Sequence, residues 1–332
     1  MSNTVSEKGT TRRRLLTIVK IAIAAVLIGS LFYSQIITVQ ALGSIFGNLP
    51  VAASAFVLLL LGHALAALRW YVLLRTMAIP IRLRACVEIF AIGTFANTFL
   101  PGGTGGDLLR SVYIARDVRS DRAGGVISVL VDRALGLFGL LAVTALIGLA
   151  AAEHPEASVS TRSTALILAA IFAGSVLAII VALFWITPAR LERLRAYIGT
   201  RTIFRRAFLR LFEVAAILSR APGAVLLSFA LSVAITLTIV GAIILLSQGY
   251  ARGGLTALDF SYAALLALIA NVIPITPGGI GVGEGAFAFL CVAWETVRSG
   301  LPYGTIFFGY RLLTMLISLL CAVGFVTYER RG

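Results

Sequence analysis

The chain has 332 residues, of which 59% are hydrophobic and only 13% charged, and its mean hydropathy is +1.00. Apolar runs long enough to span a bilayer recur along it, and with their short loops they take up nearly the whole length, leaving no room for an appended soluble catalytic domain. A net charge of +14 could point to nucleic acid, but the basic residues fall in loops on one side of the spans, which argues against that partner.

Residues 1 to 14 are polar and end in Arg12-Arg13-Arg14, before the apolar run Leu15 to Phe32. With no small-x-small cleavage site closing that run, it reads as an uncleaved signal-anchor with a cytoplasmic N-terminus. Residues 34 to 50 carry no charge and are expected outside. Val51 to Leu74 returns to a side marked by Arg69, Arg75, Arg82 and Arg84, cytoplasmic by the positive-inside rule. An arm from about Cys86 to Phe99 follows. At 1.5 Å per residue it covers only about 21 Å of a hydrocarbon core about 30 Å thick. It meets the break Asn97-Thr98-Phe99-Leu100-Pro101-Gly102-Gly103-Thr104-Gly105-Gly106-Asp107, and Leu108 to Ala115 leads back to Arg116, Arg119 and Arg122.

Gly124 to Ala151 is a full span ending at the acidic loop Glu153 to Glu156, and Thr164 to Ile186 comes back to the most basic loop in the chain. Within that loop Phe204, Phe208, Leu211, Ala215 and Leu218 follow helical spacing with Arg201, Arg205, Arg206 and Arg210 on the other side. Such a helix could lie on anionic headgroups, or the segment could be a solvated linker. Val225 to Ser247 crosses outward, and Phe260 to Ile273 is a second short arm. It runs into Pro274 and Pro277-Gly278-Gly279-Ile280-Gly281-Val282-Gly283-Glu284, and residues 303 to 327 cross inward.

The two halves align. Asn97 matches Asn271, Pro101 matches Pro277, Asp107 matches Glu284, and Arg133 matches Arg311, at offsets between 174 and 178. The first hairpin opens inside and the second outside, so the halves form an inverted-topology repeat, as transporters do. The expected fold is an all-α polytopic membrane protein with about six full transmembrane helices and two Pro/Gly-broken re-entrant hairpins; the alternative is eight transmembrane helices. Its organisation is a cytoplasmic tail, 1–14, and one transmembrane domain, 15–332. The domain comprises an extra helix (15–33), repeat 1 (51–151), a linking helix with the basic loop (164–222) and repeat 2 (223–327).

Non-helical backbone at membrane depth is tolerated only where protein or a water-filled cavity covers it, so the two hairpins are expected to share a central site. Arg133 and Arg311 fall near the midplane, where Asp107, Arg133, Glu284 and Arg311 would each cost roughly 2.5–3.5 kcal/mol unpaired. They must pair or face water. One reading makes them salt bridges that only fix helix packing; the other sets arginines and glycine-broken helix N-termini around a lipid phosphate. The candidate binding residues are Asn97, Pro101, Gly102, Gly103, Gly105, Gly106, Asp107, Arg110, Asp132 and Arg133 in the first half. In the second half they are Asn271, Pro277, Gly278, Gly279, Gly281, Glu284 and Arg311. Asp132 has Tyr310 as its counterpart, which breaks the symmetry. No catalytic residue, metal or cofactor is expected, because nucleophile–base pairs are lacking and the two histidines and three cysteines have no ligand spacing.

On Asn97 to Arg110, Val131-Asp132-Arg133, Ile273 to Ala286 and Tyr310-Arg311-Leu312-Leu313, the sequence resembles the lysylphosphatidylglycerol synthase transmembrane, or flippase-like, family. The resemblance implies a membrane domain that moves aminoacylated or other anionic phosphate lipids between leaflets, here without the soluble synthase fused to some members. With it, the expected function is a non-enzymatic lipid translocase of the bacterial inner membrane, and the loop charges are expected to hold both termini in the cytoplasm. Its partners would be anionic lipid headgroups and, in one version, a separate lipid-modifying enzyme. An ion-coupled carrier or channel for a small solute, or a non-transporting membrane subunit, remains the alternative. Many members of the family carry a polar or basic residue before the second-hairpin glutamate, where this chain has Gly283.

Overall fold

The computed structural model describes residues 29, 33–99, 105–118, 121–153, 159–185, 203–248, 254–272, 276, 279–296 and 299–329. The described residues are helical, with no strand among them. In chain order the helices are α1 (Val39–Gly47), α2 (Leu49–Thr76), α3 (Leu83–Phe99), α4 (Gly105–Asp117), α5 (Arg122–Ala152) and α6 (Val159–Trp185). Then come α7 (Ile203–Ser219), α8 (Pro222–Ser247), α9 (Ala257–Ala270), α10 (Val282–Trp294), α11 (Gly304–Cys321) and α12 (Val323–Glu329). Five of them, α2, α5, α6, α8 and α11, are long and apolar enough by length and composition to cross a membrane. The protein is an all-α polytopic membrane protein. The apolar run before residue 33, expected as a further span, lies outside the described residues apart from Gly29.

The short arms are visible as helices of limited length. α9 has 14 residues and α10 has 13, so each reaches only about 20 Å. Thr256 starts α9 with a capping box, its hydroxyl accepting the Asp259 N–H while Asp259 bonds back to the Thr256 N–H. A short helix also forms where the sequence suggested only an uncharged outer stretch. Thr38 caps α1 by accepting the Ala41 N–H at 3.2 Å, and its own N–H donates to the Thr305 hydroxyl, also at 3.2 Å.

The packing resolves into two compact units that interleave along the chain. One comprises residues up to Leu59, Ala91–Leu108 and Val240–Val323, so it holds the tip of the first hairpin and the whole second hairpin. Its interior is rich in aromatics: Phe260, Phe287, Tyr303 and Phe307 are buried and their rings follow one another at 5.7–6.3 Å. The other comprises Leu60–Phe90, Leu109–Ile239 and the segment from Gly324. Its core gathers Trp70, Leu74, Ile79, Cys86, Ile89, Ile114, Ile127 and Val214. Cys86 and Cys291 are buried packing residues, as their apolar surroundings suggested.

In that second unit α7 is helical, as its spacing predicts. Val214 is buried against the core and Leu218 packs beside it. The side chains of residues 203–209 and Leu211 lie outside the described set. Arg210, expected with Arg201, Arg205 and Arg206 opposite the apolar stripe, is held by Asp121, the N-cap of α5, and by Glu213. Burial lowers its pKa, but the bonds to these two carboxylates outweigh burial and the net shift is upward.

Candidate functional site

Each unit contains a buried arginine–carboxylate cluster, and in one of them the cluster sits at a helix break. In the second hairpin Glu284 is the third residue of α10 and is completely buried. Its Oε2 accepts the Gly281 N–H at 2.8 Å, satisfying a donor that the helix start leaves open. Arg311, in α11, donates through Nε to Glu284 Oε1 and through Nη2 to Glu284 Oε2 at 3.3 Å and the Gly279 carbonyl at 3.0 Å. One guanidinium thereby holds both the carboxylate and the irregular backbone ahead of α10. Gly279 and Gly281 have φ of 71° and 86°, a region open to glycine and costly for other residues.

Asn271 closes the preceding arm at the C-cap of α9. Its amide lies against Gly279 and Gly283, and among the described residues its buried Oδ1 has no hydrogen-bond partner. A Cβ at Gly283 would lie 2.5 Å from the Phe307 ring and 2.6 Å from Asn271 Nδ2. Gly283 is thus required by local packing, and a larger residue would need Phe307 and Asn271 to move.

The first hairpin is clipped by the matching asparagine. Asn97 Oδ1 accepts the Gly106 N–H at 2.9 Å, and Gly106 approaches the Gly93 carbonyl so closely that no Cβ fits. Gly105 opens α4, and Asp107, like Glu284, is the third residue of its helix. The match between the two breaks therefore holds at the level of helix position.

The buried charges of the first half are arranged differently. Asp132, only 2% exposed, accepts Arg69 Nε on Oδ1 at 2.9 Å and Arg110 Nη2 on Oδ2 at 3.0 Å. Arg69 also donates to the Ser232 hydroxyl at 2.8 Å, and Gly136 leaves the space its guanidinium occupies. The Arg110 guanidinium lies 4.2 Å from the Trp70 ring and 4.8 Å from Phe90, so aromatic faces add to its stabilisation. Trp70 is itself fixed by an Nε1–H bond to Ser128 at 3.1 Å.

Arg133, matched by offset with Arg311, is exposed. One residue along a helix turns about 100°, so when Asp132 points into the cluster its neighbour must point away. Arg69 was legible only as a marker of the cytoplasmic side, although a charge inside the apolar run Val51 to Leu74 was a signal that it needs a buried partner. Ser232 gave no signal. Pro101, Gly102, Gly103, Pro277 and Gly278 lie outside the described residues. Among the described residues no group of three or more His, Cys, Asp or Glu side chains could hold a metal ion.

No curated protein and no solved structure matches the chain. A family model does, from residue 17 to residue 322, the lysylphosphatidylglycerol synthase TM region. Its range takes in both broken hairpins and every residue of the two buried clusters. The chain belongs to the lysylphosphatidylglycerol synthase transmembrane family.

Proposed function

We propose that the protein is a non-enzymatic lipid translocase that carries a phosphate-bearing headgroup, anionic or aminoacylated, between the leaflets of a bacterial inner membrane. The observation that carries this reading is the Glu284–Arg311 pair at the break of an apolar hairpin. A buried ion pair is a poor source of stability compared with well-packed apolar residues, so its presence in the apolar interior favours a functional reason. Arg311 holds Glu284 and the Gly279 carbonyl with one guanidinium fork. An incoming phosphate is a bidentate acceptor of the same geometry and competes for that fork. The unsatisfied Asn271 Oδ1 beside it offers an acceptor to a headgroup ammonium or hydroxyl. When Arg311 turns from Glu284 to a phosphate, the Gly281 N–H that Oε2 accepts would still hold the carboxylate in place.

The test is leaflet-resolved movement of fluorescent phosphatidylglycerol in proteoliposomes, with a solute-flux control. The charge-neutral pair Glu284→Gln with Arg311→Gln removes both charges together, so the fold is expected to persist while lipid movement is lost. Full lipid movement by the folded double variant would show that this pair only holds helices together. Solute flux without lipid movement would replace the translocase by a channel or carrier.

A further inference from the structure

A cavity of about 650 Å³ opens between α1, the end of α8 and the segment before α11. That volume is within the usual range of small-ligand sites, roughly 300–1,000 Å³. It belongs to a single compact unit and contains none of the residues of the two buried charge clusters. Gln35, Gln40, Asn48 and Gln248 bring four carboxamides to its lining, and Thr38 and Ser44 bring two hydroxyls. Among the described residues no charged side chain lines it. The remainder is mainly aliphatic, with Ile45, Val51, Leu245 and Leu246.

Two features indicate a preformed site. Its lining includes Gln35 and Gly300, which both adopt left-handed backbone, with φ of 59° and 63°. Gln35 is not a glycine, and such conformations persist only where surrounding structure enforces them. The enforcement is visible nearby. The Thr38 N–H is bonded to the Thr305 hydroxyl, and Gly304 packs so tightly on Ile36 that a Cβ there would lie 3.0 Å from the Ile36 carbonyl.

We infer that this cavity binds an uncharged, hydroxyl-rich group, a sugar or polyol, by hydrogen bonds from its carboxamides. A carboxamide both donates and accepts, as a hydroxyl does, so each amide can serve a hydroxyl in either sense. Phosphate offers acceptors and a negative charge, for which the described lining provides no cation. The aliphatic part of the lining suits the root of a lipid, although a free sugar shares the polar chemistry. The site is separate from the buried ion pairs, so its occupancy does not depend on lipid translocation.

The experiment uses the full chain in phosphatidylcholine nanodiscs doped with glucosyl diacylglycerol or phosphatidic acid, with retained lipid counted by native mass spectrometry. Methyl β-glucoside is titrated in parallel by saturation-transfer NMR. Preferential retention of the glucosyl lipid is expected. Gln40→Leu and Gln248→Leu should each weaken binding about fivefold, the value of one net hydrogen bond, with unchanged thermal unfolding because both residues are exposed. Gln248→Arg should move the preference toward phosphatidic acid, and it carries the test if a leucine variant misfolds. If methyl β-glucoside binds with the same dependence on these residues and the lipid form binds no better, the sugar comes from solution. Tail-dependent retention assigns it to a lipid. Equal retention of phosphatidic acid, or leucine variants indistinguishable from the parent chain, overturns the inference.

Discussion

In the second hairpin the carboxylate rides on the hairpin arm, as Glu284, and the arginine on the following helix, as Arg311. The first half reverses this. There the arginine rides on the hairpin arm, as Arg110, and the carboxylate on the following helix, as Asp132. The repeat thus reproduces the joint between arm and helix while leaving the direction of charge free, because attraction at a given depth is unchanged when the two partners exchange places. The first half also recruits a further arginine, Arg69, from the preceding helix. One carboxylate serves two cations there, whereas Glu284 serves one cation and a backbone N–H.

That difference ranks the consequences of removing each carboxylate. Asp132→Asn leaves two buried guanidinium groups without their shared acceptor, and the expected loss is at the top of the range of about 3–5 kcal/mol for breaking a buried pair. Thermal unfolding in nanodiscs measures it. Arg69→Gln should cost clearly less, since Arg110 still neutralises Asp132. Equal losses from both variants would break the picture of a carboxylate shared between two arginines.

Glu284→Gln comes next, with an expected loss of about 3 kcal/mol, because a glutamine can still accept the Gly281 N–H and the Arg311 N–H in neutral form. The sharper variant is the exchange Glu284→Arg with Arg311→Glu, which gives the second hairpin the charge direction of the first. It should recover part of the loss but not the cap on Gly281, leaving a deficit of about 1 kcal/mol or more. Complete recovery would mean that the cap contributes nothing.

The glycines at the two joints are matched more closely than the charges. Gly106 and Gly283 are each the second residue of their helix, and each lies against an asparagine in or at the last turn of the preceding arm. Alanine at either should cost about 1–3 kcal/mol through overpacking. Gly106→Ala should cost more, because its Cβ meets the Gly93 backbone carbonyl, whereas at Gly283 the first obstacle is the edge of the Phe307 ring. The reverse order in denaturation midpoints would show that the first joint yields more easily than its backbone contact implies.

What the sequence made legible follows from this geometry. Proline and glycine within apolar runs marked the breaks, and similar offsets, 174 and 177, matched Asn97 with Asn271 and Asp107 with Glu284, because position along a helix can be read directly from residue number. That Glu284 and Arg311 must pair or face water was legible too, but not that they pair with each other. The Asp132 cluster was not, since its partners come from three helices, and Asp132 and Arg133 compete for one inward direction that only helix phase decides. The steric requirement for Gly283 was not legible either, because it appears only when Asn271 and Phe307 are brought beside it.

The smallest expected effect on stability separates the two halves most cleanly. Arg133 matches Arg311 by offset and yet is exposed, while Arg311 is buried in an ion pair. Exposed substitutions away from buried networks usually stay within about 0.5 kcal/mol, so Arg133→Gln should leave unfolding nearly unchanged, whereas Arg311→Gln should be strongly destabilising. Lipid movement then gives an independent readout at a residue whose removal leaves the fold intact. If the offset match reflects a shared role in handling headgroups, Arg133→Gln slows scrambling of anionic lipid at constant stability, and Arg133→Lys restores much of it by returning the charge. If rates remain unchanged, Arg133 has no part in the proposed transport, and Arg69 and Arg110, the two that Asp132 holds, become the first-half arginines to test.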